Sequence, residues 1–266
     1  MAEKFESSIS APLVIGATGG SGTRVVARIA KHAGYCFGTN LNGAEDALDF
    51  LPFHDRWVNV LLGARRRHRT LSREDAHRMT REFQEVLTRY RSTITGSNAP
   101  LQFWGWKAPR SIYLMAFLHE QFPALKYIHV LRDGRDMAFS RNQNQLRKHG
   151  HQLLSWRERW FEGAPVRSLL LWDRVNRHAA DYGETRLRQG YLAVRFEDLC
   201  RAPGETTRRI LRFLESSLDA EAIARQEIAP PNSLGRWREA PPEVRARFER
   251  VAGATLRRFG YEEPVA

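Results

Sequence analysis

Apolar positions in this chain fall into two patterns that alternate along it. Short, mainly apolar runs at 12–15 (PLVI), 126–131 (KYIHVL) and 191–196 (YLAVRF) have the length of buried strands. Between them apolar residues recur at helical spacing. Residues 23–33 predict a helix with Val25, Val26, Ile29 and Ala30 inward, and a second helix is expected over 43–63 behind Asn42 as its cap. Further helices are expected at 72–91, at 111–122 up to Pro123, from Asp136 onward (DMAFSRNQ), at 166–188, after Pro203, and at 242–259, with TGSNAP at 95–100 as a loop. Strands alternating with helices predict an α/β fold, a central parallel sheet with helices on both faces. No internal repeat or long linker interrupts the pattern, so one domain is expected over 1–266.

Composition adds limits. With 42% hydrophobic and 27% charged residues over 266 positions, the chain should fold around a sizeable core. The first eleven residues are polar, and no apolar run approaches the ~20 residues of a membrane span, so a cytoplasmic protein is expected. Cys36 and Cys200 make no disulfide framework, and the nine histidines are scattered, so no metal site is expected. The net charge of +12, from 37 arginines and 5 lysines against 30 acids, suits an anionic ligand of several kinds. Solvated helix faces such as RRRHR at 65–69 account for part of it equally well.

The chemistry begins at PLVIGATGGSGTRVVARIA, residues 12–30. A strand, a loop with glycines at 16, 19, 20 and 22, and a helix opening at Thr23 form a phosphate-holding layout: glycines let main-chain N–H groups crowd an anion, and the helix adds its positive end. Ser21 and Thr23 add hydroxyls. The lysine of a nucleoside-triphosphate loop, G-x-x-x-x-G-K-(S/T), is absent, which disfavours a kinase or ATPase. In YIHVLRDGRDMAFS, Arg132 lies just past a strand and Ser140 eight residues on. Arginine holds phosphate by paired charge-assisted bonds, and a serine beside it adds a donor. Asp136 is placed to tie down Arg132 or Arg135.

These segments resemble the sulfotransferases that use 3′-phosphoadenosine 5′-phosphosulfate (PAPS). Arg132 and Ser140 match the family's 3′-phosphate motif. Gly20, Ser21, Gly22 and Thr23 align with its 5′-phosphosulfate loop, (K or R)-S-G-T. WGWKAPRS resembles the K-x-P-R segment of carbohydrate-type and bacterial members, VRFEDL (194–199) the late R-(Y/F)-E-D-L signature, and GRWR (235–238) the C-terminal G-x-W-(R/K) region. The five segments occur in family order from 12 to 238. The resemblance implies a P-loop-like sulfotransferase fold and transfer of a sulfuryl group from PAPS to a hydroxyl or amine of a carbohydrate or small molecule. It needs no metal, and it implies a nucleotide site of Gly19, Gly20, Ser21, Gly22, Thr23, Arg24, Arg132, Ser140, Arg236, Trp237 and Arg238. Lys107 matches a family lysine that approaches the sulfuryl group.

Two positions depart from the family. Gly20 stands where a lysine or arginine is usual, and Lys107 or Arg24 is expected to supply that charge; a nucleotide-binding but catalytically silent protein is the alternative. Pro109 stands where cytosolic members have their histidine base, so the base is sought among the carboxylates of NLNGAEDALDFLPF. Asn42 and Glu45 have capping-pair spacing. On a helix from 43, Ala44, Ala47, Leu48 and Leu51 form the apolar stripe, with Asp46, Asp49, Phe50 and Phe53 opposite. Asp46 is the first choice, Asp49 the second, with Glu45 and then His54 behind them. Trp104, Trp106, Trp156 and Trp160 suit either sugar stacking or a core. A nucleic-acid-binding protein is the reading from another class, but no zinc finger, helix-turn-helix or stacking signature occurs, and no nucleic-acid partner is expected.

Overall fold

The computed structural model of the chain describes residues 11–95 and 103–261; residues 1–10 and most of the loop expected at 95–100 lie outside them. Four parallel strands, β1 (Leu13–Ala17), β2 (Gly105–Lys107), β3 (Lys126–Leu131) and β4 (Tyr191–Arg195), form one sheet in the order β2-β1-β3-β4. The helices in chain order are α1 (Thr23–His32), α2 (Leu51–Arg66), α3 (Arg73–Thr95), α4 (Met115–Gln121), α5 (Gly134–Ala138), α6 (Asn144–Leu153) and α7 (Trp156–Phe161). They continue with α8 (Ala164–Tyr182), α9 (Phe196–Arg201), α10 (Pro203–Phe213), α11 (Ala220–Glu227) and α12 (Pro242–Arg258).

Alternation along the strands explains the layers. Leu13, Ile15 and Ala17 of β1, with Ile128 and Val130 of β3, pack under Val26 and Ile29 of α1, Ile210 of α10 and Ile223 of α11. Val14 and Tyr127 point the other way, into an aromatic core with Phe50, Trp57, Phe83, Tyr90, Trp104 and Trp106. A third cluster joins Leu131, Trp172 of α8 and Phe248 of α12. Both faces are therefore covered by helices. This is the α/β arrangement that the apolar pattern predicts.

Three boundaries differ from expectation. β2 is only three residues long, too short for an apolar pattern to declare it; its register, Leu13↔Gly105 to Ile15↔Lys107, comes from pairing with β1. The helix expected from 43 begins at Leu51, after a 3-10 turn at Leu48–Phe50. The helix expected from Asp136 is split: α5 stops at Ala138 and α6 starts at Asn144. From β1 the chain passes to β2 on one side and later to β3 on the other, so the topological switch point lies at the carboxyl end of β1.

Candidate active site

At that switch point the loop from β1 to α1 is shaped by glycine. Gly20 (φ +84°) and Gly22 (φ +79°) take left-handed conformations that side chains resist. A Cβ on Gly22 would also lie 2.2 Å from the Phe196 ring. Ser21 is buried, and its hydroxyl donates to the Thr18 carbonyl at 2.7 Å, closing the turn on itself. The start of α1 has no side-chain cap and no acid in its first turn, so its positive end is not neutralised by the chain. Gly19 to Val25 form one wall of a cavity of about 810 Å³, which Asp46, Lys107, Arg110 and Arg132 also line.

The segment before α2 is stitched to β2 rather than coiled. Asn42 does cap, but it caps a turn: its Oδ1 accepts from the N–H groups of Ala44 and Asp46, each at 2.9 Å. Leu41 and Ala47 then form an antiparallel bridge, and the Ala47 N–H donates to the Lys107 carbonyl at 2.9 Å. This tertiary pairing overrides the helical spacing. The carboxylates consequently separate. Glu45, at φ +64°, faces Arg28 and Lys31 at 2.7 and 2.6 Å, an ion-pair cluster against α1. Asp49 lies in the 3-10 turn, outside the cavity wall, where its charge acts on the buried Tyr90 hydroxyl. Phe50 and Phe53, expected on the cleft side, are core residues. Asp46 alone of the three acids lines the cavity.

Lys107 ends β2 with 1% of its surface exposed. Its ammonium donates to the Ala44 carbonyl and to the Asp46 carboxylate. Burial pulls its pKa below the usual lysine value, and the bond to Asp46 restores part of the loss. A buried cation and a carboxylate thus meet in the cavity wall, joined by a bond that the turn at Asn42 makes possible. Arg24 lies exposed at the helix start, with its guanidinium 3.4 Å from the Gly43 carbonyl.

Arg132 follows β3 across the loop. Its guanidinium donates to the Gly20 carbonyl at 3.3 Å and to the Ser233 hydroxyl at 2.9 Å, and stands 5.4 Å from the Phe196 ring centre. Its Nε is buried with no partner. Ser140 lies past the end of α5 rather than within a helix, yet its hydroxyl is 3.6 Å from where a Cβ on Gly20 would stand. Arg132, Ser140 and Gly20 are therefore neighbours. Asp133 caps α5 and pairs with Arg135. Asp136 instead accepts from the N–H groups of Gly235 and Trp237, at 2.7 and 3.2 Å. That latch seats Trp237 as a buried brace with the Arg135 guanidinium 3.7 Å from its ring centre. Arg236 donates to the Phe139 carbonyl at 3.3 Å, and Arg238 stacks near Trp237 at 5.0 Å. None of the residues Arg236 to Arg238 lines the cavity, and neither does Ser140; Trp237 and Arg236 brace the segment behind Arg132 through Arg135 and Phe139.

The profile of the Sulfotransferase family matches residues 12–220. The chain belongs to that family. Among solved structures, the sulfotransferase domain from the Synechococcus PCC 7002 olefin synthase is similar with a TM-score of 0.51 at 17% identity, covering 97% of this chain and 98% of that one. The sulfotransferase domain from the curacin biosynthetic pathway gives 0.55 at 14% identity, covering 97% and 100%. Sulfotransferase STF9 from Mycobacterium avium gives 0.54 at 14%, covering 96% and 78%. At these identities the likeness is one of fold. No curated protein sequence matches the chain.

The rest of this sulfotransferase's cavity is built from residues that sequence patterns singled out weakly or not at all. His54, the last of the candidate bases, is in the wall; its Nε2 is 3.4 Å from the Ser111 hydroxyl and its buried Nδ1 has no partner. Burial, then the charge of Arg110, lowers its pKa to about 3, so it is neutral at neutral pH. Arg110 and Lys148 also line the cavity. For Arg110 the signal was its place three residues after Lys107; Lys148, on a polar helix, carried none. Phe196, first residue of α9 and part of VRFEDL, packs against Gly22 and beneath Arg132. Trp104 and Trp106 are core residues, whereas Trp156 and Trp160 are exposed on α7, outside the cavity. Among the described residues no helix is long and apolar enough to cross a membrane, and no group of three or more His, Cys, Asp or Glu is placed to hold a metal.

Proposed function

We propose that this sulfotransferase takes PAPS as donor and transfers its sulfuryl group to a hydroxyl or amine of a carbohydrate or small-molecule acceptor. One observation carries the reading: the glycine loop, Arg132, Lys107 and Asp46, from four separate stretches of sequence, meet in a single cavity at the switch point of the sheet. The site fits a nucleotide with two anionic ends. The uncapped start of α1 and the loop N–H groups suit the 5′ end. Arg132, whose Nε has no partner, and Ser140 beside it suit a 3′-phosphate. With Gly20 in place of a cation, Arg24, which follows the loop at the start of α1, and Lys107 in the cavity wall are the charges that would stand in for it.

PAPS supplies the activated sulfuryl group; the chain supplies position and charge. The acceptor oxygen or nitrogen forms its bond to sulfur as the bond from sulfur to the bridging phosphate oxygen breaks, and that oxygen keeps the electron pair. Lys107 stabilises the charge left there, and Asp46 takes the acceptor's proton. Neither side chain has to be brought from outside, because they are already bonded to each other. Incubation with sulfur-labelled PAPS and a panel of sugars and phenols tests the reading. Label should move to an acceptor with equal release of 3′-phosphoadenosine 5′-phosphate (PAP). Binding of ATP as tight as that of PAP, with no labelled product, would contradict it.

A further inference from the structure

The cations of the cavity wall fall into two groups. Among the described residues, Arg24, Lys107, Arg110, Arg132 and Lys148 line it, against Asp46 as its one carboxylate. Asp46 is bonded to Lys107, and Arg24 and Arg132 border the glycine loop. Arg110 and Lys148 remain, and they lie elsewhere. Arg110 follows β2 and Arg132 follows β3, with β1 between, so the sheet sets them about two strand spacings, roughly 10 Å, apart.

Arg110 and Lys148 form a built pair. Each donates to the same oxygen of Asp55, at 2.6 Å, and Asp55 is not in the cavity wall. Arg110 is 8% exposed, held by Asp55 and by the Leu51 carbonyl at 3.4 Å, so its guanidinium is fixed and partly dehydrated. Two cations sharing one carboxylate leave about one unit of positive charge facing the cavity. His54, in the same wall, is neutral and adds no charge to it. The wall beside it is apolar or amide: Leu51, Asn144 and Gln145. An oxyanion there gains a guanidinium and an ammonium, and the one carboxylate bonded to them, Asp55, is shared between the two and lies outside the wall.

We infer that the acceptor carries an oxyanion, a carboxylate or a sulfate, which Arg110 and Lys148 hold while its hydroxyl or amine faces Lys107 and Asp46. The inference rests on the proposed transfer reaction and names the acceptor class for it: an already acidic sugar or a hydroxy acid.

The test measures binding in the dead-end complex with saturating PAP, and again without nucleotide. Its probes are matched pairs: p-nitrophenyl β-D-glucuronide against the glucoside, and N-acetylglucosamine 6-sulfate against N-acetylglucosamine. The acidic member should bind at least about tenfold more tightly, by ~1.4 kcal/mol or more, and the margin should shrink as salt is raised. Arg110→Gln should reduce the preference below about threefold. Lys148→Gln, on an exposed helix surface, should reduce it in part and keeps the test open if Arg110→Gln fails to fold. Preference for only one acid would say whether the pair selects a planar carboxylate or a sulfate. Equal affinity within both pairs, no binding by either acid, or a preference that survives both substitutions would overturn the inference. PAP binding, measured in the same proteins, separates the two claims: its loss in the wild-type chain refutes the donor reading, while the nucleotide-free arm still reads the acid site.

Discussion

The two halves of the cavity are built on different principles. On the β3 side the polar groups come mostly from main chain, two glycines in left-handed conformations and the uncapped end of α1, with one arginine side chain laid across the loop. On the β2 side they come from side chains, with Asp46 on Lys107, and Arg110 and Lys148 on Asp55, drawn from segments far apart in sequence. A main-chain site tolerates few residue types, because a Cβ at Gly22 would collide with Phe196 and face an unfavourable φ. A side-chain site can be assembled from many places as long as charge and reach agree. The first kind suits a ligand part that never varies, and the second suits the part that distinguishes one family member from another.

If that division holds, the largest effects of substitution fall at the junction. Asp46→Asn should lower turnover about 10²–10⁴-fold. Lys107→Ala should lower it about 10²–10³-fold while PAP affinity changes little, since its charge counts most in the transition state. Glu45→Gln is the control: its ion pairs with Arg28 and Lys31 lie outside the cavity, so turnover should stay within about twofold and the melting temperature should fall only slightly. Normal turnover in Asp46→Asn would move the base to another group, with His54 next. A smaller but more selective effect is expected at Gly22→Ala. It should weaken PAP at least about tenfold, by roughly the strain of a forced left-handed residue plus the Phe196 overlap. Binding of p-nitrophenyl β-D-glucuronide without nucleotide should persist. Loss of both together would show that the halves are not independent.

The smallest effect is on stability. Burial lowers the pKa of His54 to about 3 and of His129 to about 4, against an ordinary 6.5. His129, within β3, is bonded to Tyr191 at 2.7 Å and Asn176 at 2.8 Å. Both folded values are depressed, so on acidification the unfolded chain takes up protons first. Their contribution is intact above about pH 6.5 and declines as pH falls toward 4. Thermal melting followed by circular dichroism should show a midpoint falling between pH 7 and 5, and His54→Gln should flatten that slope. An unchanged slope would mean that His54 is not buried neutral.

How much of this was readable beforehand follows the same division. The strand, glycine loop and helix start from 12 to 30 were legible because main-chain chemistry needs glycine at fixed places. Arg132 is legible as a cation just past a strand end, and Lys107 through the resemblance of WGWKAPRS to the family's K-x-P-R segment. The segment from 43 reads as helix because Asn42 and Glu45 have capping spacing; the Ala47–Lys107 hydrogen bond that makes it a strap is tertiary, and local pattern has no access to it. Trp106 was ambiguous until Phe50 was found stacked on it at 4.5 Å. Lys148 could not have been picked from a polar helix, since only folding brings it to Asp55.

On the proposed reading, the β3 half, through the Arg132 side chain, recognises a nucleotide with a phosphate at its 3′ position. Calorimetric titration with PAP and with adenosine 5′-phosphate tests it without any acceptor. PAP should bind at least about tenfold more tightly, a difference of ~1.4 kcal/mol or more, and Arg132→Ala should remove most of that margin while leaving adenosine 5′-phosphate little changed. Equal affinity for the two nucleotides in the wild-type chain would contradict the account.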